Sequence, residues 1–398
     1  MASILLVNKF YYNRGGDCVA MLSTEQLLKA KGHEVAVFSM KYPKNLPTEW
    51  EPYFPDEINF TSGNLFERIR AASRLFKSGE VTKQFNLLLN DFQPDVVHLH
   101  NIHSYLSPVV AEIAHRKGIR VVWTMHDYKL ICPAYNCLSK GEVCERCFTG
   151  KSGVLINKCI KNSYPASILG WMEALYWHKK KLTDITDCFI SPSSFLKTKM
   201  VQAGFPEEKI AVLTNFMSGK VNLSASKKGY YCYVGRISEE KGIDTLLHAA
   251  TQLPYHLKII GDGPLLNTYR SAFTRQNIDF TGYLPPEKVY ETVKDANCMV
   301  LPSICYENNP LSVIEALCMG TSVLGARIGG IPELIDDGVN GLLFTPKNIS
   351  ELKEKIELSF NRFNDGYNFE KIGLTAQNKF SSETFYKKLI EIFKTSIN

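Results

Sequence analysis

The stretch "SICYENNPLSVIEALCMGTSVLG", Ser303 to Gly325, decides how the second half of this 398-residue chain is read. Pro310 suits the first position of a helix, Asn309 suits its N-cap and Gly320 suits the C-terminal stop. Leu311, Ile314, Leu317 and Cys318 fall at helical spacing and give that helix a buried face. A β-branched run, "CMVLPS", precedes it and another, "TSVLGAR", follows. This order of strand, loop, helix and strand predicts parallel α/β construction, with "CYENN" lying beyond the carboxyl end of a strand. Free N–H groups at a helix N-terminus favour an anion such as a diphosphate. Carboxylates repel phosphate, but they accept paired hydrogen bonds from a diol, as they do with ribose. Glu307 and Glu315 flank the helix start in this way, although on this stretch alone they read rather as exposed helix acids.

Neighbouring stretches sharpen the reading. In "YVGRISEEKGIDTLL", Gly235 and Arg236 directly follow a strand, and Lys241 and Gly242 precede the next helix. Two cations at a strand's carboxyl end, with glycines allowing close backbone approach, make a diphosphate clamp. "LKIIGDGP" adds the glycines Gly261 and Gly263, which alone describe an ordinary turn. "ARIGGIPELI" brings Gly329, Gly330 and Glu333 to another strand end. Together these ends predict a pocket along one sheet edge for phosphate, sugar and base.

The first half repeats the scheme. "SILLVN", "HEVAVFS", "DVVHLHN", "RVVWTMH" and "CFISPS" read as strands, and "GDCVAMLSTEQLLKAKG" reads as an amphipathic helix. A polar stretch poor in periodicity, residues 215–229, divides the halves as a linker. The expected organisation is residues 1–214, the linker, residues 230–378, and a final amphipathic helix over 379–398.

Hydrophobic residues at 45% and charged residues at 22% describe an ordinary soluble protein. No apolar run approaches the roughly 18 residues that a membrane span needs. The first residues lack a signal-peptide pattern, so the cytoplasm is the expected compartment and the eleven cysteines are expected as reduced thiols. The net charge of +6 sits in residues 1–215, which hold 26 Lys/Arg against 20 Asp/Glu. A modestly basic half suits an anionic membrane surface or phosphorylated substrates, and equally an unevenly solvated surface. Nucleic acid is not expected as a partner.

The motifs "VGRISEEKGID", "LKIIGDGP" and "YENNPLSVIEALCMGTSVLGARIGGIPELIDDGVNGLLF" together resemble the retaining, nucleotide-sugar-dependent glycosyltransferases of family 4. The resemblance covers nearly the whole chain, and the paired glutamates with seven residues between are its most specific element. It implies the α/β GT-B fold: two facing Rossmann-like domains with a central cleft, the N-terminal one for the acceptor and the C-terminal one for the nucleotide sugar. The last helix is implied to cross back to the N-terminal domain. By the same resemblance Glu307 contacts hydroxyls of the donor sugar and Glu315 holds the ribose. Arg236 and Lys241 neutralise the diphosphate, helped by backbone at Asn309 and Leu311, by Gly235, Gly261 and Gly263, and by Gly15 and Gly16 of "YYNRGGDCVAM". Tyr283 and Leu284 line the nucleobase. His126 of "WTMHDY" is implied to touch the transferring sugar or the leaving group, with Asp127 either orienting it or capping the loop. His98 and His100 read as structural, His100 nearer the cleft.

For the reaction, the resemblance implies front-face displacement with retention, the departing phosphate taking the acceptor's proton. The chain has no Asp-x-Asp triplet, which agrees with metal-independent chemistry. The expected activity moves a hexose-type sugar from a nucleoside diphosphate donor, UDP first, to a saccharide acceptor, lipid-linked, in surface polysaccharide assembly. The competing readings are an epimerase or hydrolase on the same fold, and a non-catalytic nucleotide-sugar-binding subunit.

Two features stand apart. The insertion over 132–159 carries five cysteines, and Cys132, Cys144, Cys147 and Cys159 could hold a structural zinc, against plain reduced thiols. "SILGWMEALYWHKKKLTD" sets Trp171, Tyr176 and Trp177 ahead of Lys179, Lys180 and Lys181, which suits either contact with an anionic membrane or an amphipathic helix packed on the domain.

Overall fold

The strands form two parallel six-stranded sheets and one small hairpin in the computed structural model. The described residues are all of 1–398 except 59, 61–64, 220, 224–225, 365–367 and 396–398, with 65–68 and 362–364 described by backbone alone. Of the expected linker, residues 220, 224 and 225 therefore lie outside the described residues.

In the first half, β1 (Ser3–Val7), β2 (Glu34–Phe38), β3 (Val96–Leu99) and β4 (Arg120–Thr124) are followed by the hairpin β5 (Leu138–Ser139) and β6 (Glu142–Val143), then β7 (Cys188–Ser191) and β8 (Ile210–Val212). The first sheet has the order β2-β1-β3-β4-β7-β8. In the second half, β9 (Tyr230–Val234), β10 (His256–Ile260), β11 (Ile278–Gly282), β12 (Cys298–Leu301), β13 (Ser322–Ala326) and β14 (Gly341–Phe344) form a sheet of order β11-β10-β9-β12-β13-β14. Counted from its own first strand this is 3-2-1-4-5-6, the dinucleotide-fold order, and the first sheet is the 2-1-3-4-5 order extended by one strand. The strands read as apolar runs because helices cover both faces of a parallel sheet, so alternation is not selected. Leu5, Val97, Ile259 and Met299 are fully buried. Each such side chain contributes roughly 1.5–3 kcal/mol of transfer free energy.

The chain divides into an N-terminal unit of residues 1–137, 144–213 and 385–398, and a C-terminal unit of residues 138–143 and 214–384. The last helix, Ser382–Lys394, crosses back: the Tyr386 hydroxyl lies 2.9 Å from His33 Nε2, and Arg120 donates to the Ile392 carbonyl. Phe393 packs edge-on against the buried His98 ring, whose Nε2 meets Thr124 Oγ1 at 2.8 Å.

The stretch from Ser303 folds as strand, loop, helix, strand, with one correction. The helix runs Leu311–Cys318, one residue later than expected, with Pro310 at its cap and no capping side chain. Asn309 does not cap it because its side-chain oxygen accepts from the Asn215 N–H at 2.9 Å, and its carbonyl accepts from the Asn215 side chain. Val313 takes the buried position and Leu311 is half-buried. Gly320 stops the helix with φ +74° in the left-handed region.

Candidate active site

A doubly wound sheet offers ligands the crevice where its strand order reverses, beyond the carboxyl ends of the strands. In the C-terminal unit that point lies between β9 and β12. The loop after β9 carries Gly235, Arg236 and Lys241, and the loop after β12 carries Glu307 and Asn309.

Lys241 and Glu307 meet. Lys241 Nζ donates to Glu307 Oε1 at 2.6 Å, and Ser303 Oγ donates to the same oxygen at 2.5 Å. Burial pushes the Glu307 carboxyl up, but Lys241 and Ser303 outweigh it and hold it below its usual range. Burial likewise pushes Lys241 down, and Glu307 outweighs it. Both groups are therefore charged at neutral pH. Sequence reading gave them separate tasks, and no local signal links residues 66 positions apart in the chain.

The glycines hold this geometry. Gly242 (φ +65°) ends the 3-10 turn Glu239–Lys241, and a Cβ there would stand 2.0 Å from the Pro302 carbonyl oxygen. Gly329 packs on the Glu307 backbone, and the Gly330 N–H donates to the Glu307 carbonyl at 2.7 Å. Gly261 and Gly263 lie against the backbone of residues 235–237, where a Cβ would come within 1.9 Å of the Gly235 oxygen or 2.3 Å of the Ile237 oxygen. Arg236 is exposed and makes no ion pair among the described residues, which leaves its charge available to an anion. The Asn309 side-chain nitrogen is buried without a partner beside the N-terminus of helix Leu311–Cys318. A buried donor left open costs about 1–3 kcal/mol, and a phosphate oxygen would satisfy it.

Glu315 sits within the helix, half-buried, and accepts from the Tyr290 hydroxyl at 3.3 Å. Burial raises its carboxyl to about 7, and the Tyr290 bond only partly offsets this. A ribose diol donates hydrogen bonds, so it binds the ionised form. With the ribose role that the resemblance implies for Glu315, nucleotide-sugar affinity is expected to fall roughly tenfold per pH unit below about 7 and to level off above it. Glu315→Gln should flatten that dependence. Calorimetric titrations between pH 5.5 and 8.5 check it, and a slope unchanged in the variant would contradict the assignment. Tyr283 is exposed, whereas Leu284 is half-buried against the core.

In the N-terminal unit the order reverses between β1 and β3. His126, after β4, lies in a small recess with His100, Asn101, Trp123, Asp127 and Leu130. Its Nε2 is 2.9 Å from His100 Nδ1, and the two rings stack. Burial pushes His126 down to about 4, so it is a neutral imidazole at physiological pH. Asp127 caps the loop by accepting from the Lys129 N–H at 2.8 Å, and has no hydrogen bond to His126. The partner of His126 is His100, which the period-2 pattern of "VVHLHN" reads as structural.

Asp17 accepts from Asn101 at 3.0 Å; Lys9, His126 and Asn101 outweigh its burial and hold it below the usual carboxylate range. Gly15 is extended, and a Cβ there would meet nothing nearer than Asp17 Oδ1 at 3.7 Å. The fold does not demand glycine at this place. Gly16 is the first residue of helix Gly16–Ala30.

The structure does not assemble a zinc site at Cys132, Cys144, Cys147 and Cys159. All eleven cysteines are free thiols, and among the described residues no three His, Cys, Asp or Glu side chains are arranged to hold a metal. Cys132 is hydrogen-bonded instead to Cys137, the thiol outside that set, which lowers Cys132 and raises Cys137. Cys159 Sγ faces the Gly153 carbonyl at 3.8 Å.

Two doubly wound sheets of this kind are the architecture of the GT-B fold. The model of the family "Glycosyltransferase Family 4" matches residues 19–218, half of the chain, and that of "Glycosyl transferases group 1" matches residues 218–362. The chain belongs to glycosyltransferase family 4. It is 29% identical over 353 residues to an "uncharacterized 42.6 kDa protein in cps region" of Klebsiella pneumoniae, covering 83% of this chain and 87% of that one. Among solved structures it resembles Anabaena Alr3699/HepE in complex with UDP and glucose (TM-score 0.66, 17% identity, 99% and 100% of the chains covered). It also resembles sucrose-phosphate synthase from Thermosynechococcus elongatus (TM-score 0.70, 17% identity, 99% and 98% covered).

Proposed function

We propose that this glycosyltransferase moves a hexose-type sugar with retention from a nucleoside diphosphate donor, UDP first, to a lipid-linked saccharide in surface polysaccharide assembly. The observation that carries the reading is the charged Lys241–Glu307 pair, held by Ser303 at the reversal point of the C-terminal sheet. Glu307 faces the donor sugar and stabilises its oxocarbenium character. Lys241 and Arg236 face the diphosphate, and Glu315 holds the ribose. Positioning and electrostatics supply the rate, because the departing phosphate itself accepts the proton. His126, a neutral imidazole, donates or accepts one hydrogen bond at the sugar or leaving group and is not a cation there. Gly15 and Gly16 let backbone approach the donor phosphate and the acceptor. Tyr283 and Leu284 line the base. Metal is not required in this reading, and the acceptor belongs to the N-terminal unit. The cps-region relative supports the polysaccharide setting.

The test is thermal stabilisation by a panel of nucleotide sugars, followed by turnover of the best one. Diphosphate release that needs a saccharide acceptor supports transfer. Donor loss of equal rate without acceptor supports an epimerase or hydrolase, and stabilisation without any turnover supports a binding subunit.

A further inference from the structure

Helix Tyr164–Tyr176 is turned inside out. A surface helix normally buries its large apolar residues and exposes polar ones. Here the buried positions are Ser167, Gly170 and Glu173. Gly170 lets the Ile160 side chain pack so closely that a Cβ would stand 2.2 Å from it. Glu173 is neutralised by Lys129 at 2.8 Å. On the opposite arc, at spacings of four, four and three, stand Tyr164, Ile168, Met172 and Leu175, between 43% and 55% exposed. The short helix Gly153–Ile156, which packs on this one, adds Ile156 at 73% exposure.

The charge beside this face has one sign. Residues 146–172 contain Arg146, Lys151, Lys158 and Lys161 and no Asp or Glu, although Lys151 turns inward to the Ile131 and Cys147 carbonyls. Lys158 Nζ lies 4.2 Å over the Tyr164 ring, which places a cation at the edge of the apolar face. Of the aromatic and basic residues that the sequence suggested for a membrane interface, Tyr176 is exposed, whereas Trp177 and the lysines behave differently. Trp177 is buried and donates to the Leu75 carbonyl at 2.8 Å, and Lys181 covers it at 4.0 Å. Lys179 donates to the Ala203 carbonyl and Lys180 pairs with Asp184.

We infer that the outward face of helix Tyr164–Tyr176, with Ile156, seats the protein on an anionic lipid bilayer. This rests on the proposed lipid-linked acceptor only for its purpose. The helix is too short to span a bilayer but suits lying in the interface, apolar side chains among the acyl chains and lysines at the headgroups. A second copy is the poorer occupant. A two-fold contact would bring this acid-free cationic segment against itself with no counter-charge.

Flotation of the full chain with phosphatidylcholine vesicles, with and without phosphatidylglycerol, tests the inference. Binding is expected only with phosphatidylglycerol, and Lys158→Gln with Lys161→Gln should weaken it roughly thirtyfold. Ile168→Ser with Met172→Ser should abolish it while leaving thermal melting unchanged, since these side chains are exposed. Equal binding to both vesicle types, no binding, or variants that float like the parent would overturn it. So would a dimer that the serine variant dissolves in sedimentation. The readout uses neither donor nor turnover, so its failure is distinct from failure of the proposed reaction.

Discussion

Glu307→Gln is expected to lower acceptor-dependent turnover by roughly 10²–10³-fold, the range seen when one preorganised electrostatic contact to a developing charge is removed. The substitution keeps the shape and the hydrogen-bonding oxygen for Ser303, so the loop after β12 should stay in place. What disappears is the negative charge proposed to face the sugar and the counter-charge for Lys241, 2.6 Å away. Glu307→Ala is a poorer experiment, because it removes, besides the charge, the oxygen that accepts from both Lys241 and Ser303 and leaves those part-buried donors open. Its loss of activity would mix chemistry with unfolding. If Glu307→Gln melts like the parent and turns over within a few-fold of it, the carboxylate has no part in the reaction.

Gly261→Ala is expected to lower the melting temperature of the C-terminal unit by about 10 °C, from a destabilisation of roughly 3–5 kcal/mol. Gly261 has φ +137°, where side chains are strained, and its Cβ would stand 1.9 Å from the Gly235 carbonyl oxygen. The clash is with backbone, so no rotamer relieves it. To make room, the turns after β9 and β10 must separate, breaking the Gly235 N–H bond to Ile260 and the Ile237 N–H bond to Asp262. Gly15→Ala is the matched control, with no strained φ and no contact nearer than 3.7 Å. It should melt like the parent, and it should lose turnover where backbone at Gly15 approaches the substrate as proposed. Calorimetric scans of both variants decide the matter, and equal melting temperatures for Gly261→Ala and the parent would contradict it.

These glycines mark the limit of what the chain alone discloses. "LKIIGDGP" reads on its own as an ordinary turn and by resemblance as a place for the diphosphate, and in the structure Gly261 and Gly263 let one backbone turn approach another. Both uses place glycine at a strand's carboxyl end, so local sequence cannot separate them. The parallel sheets were legible because β-branched runs and helical spacing are short-range patterns, and the reversal points follow from strand order. Asn309 has the chemistry of an N-cap, but Asn215 takes its oxygen, and that competition lies 94 positions away in the chain. The His100–His126 contact and the Cys132–Cys137 contact were hidden for the same reason: spacing names eligible partners, and tertiary packing chooses among them. The exposed stripe was hidden by its inversion, since a helical apolar pattern is read as a buried face until the opposite side is seen to carry Ser167, Gly170 and Glu173.

The central claim is retention carried by a charged Lys241–Glu307 pair, and the anomeric configuration of the product tests it most directly. The nucleotide sugar that best stabilises the protein would be supplied as its α-anomer with a saccharide acceptor and a chelator, and the product followed by proton NMR from the first turnovers. The predicted result is an α-linked product, formed at an undiminished rate under chelation and roughly 10²–10³-fold more slowly with Glu307→Gln. A β-linked product, or an α-linked one formed equally well by the variant, would contradict it.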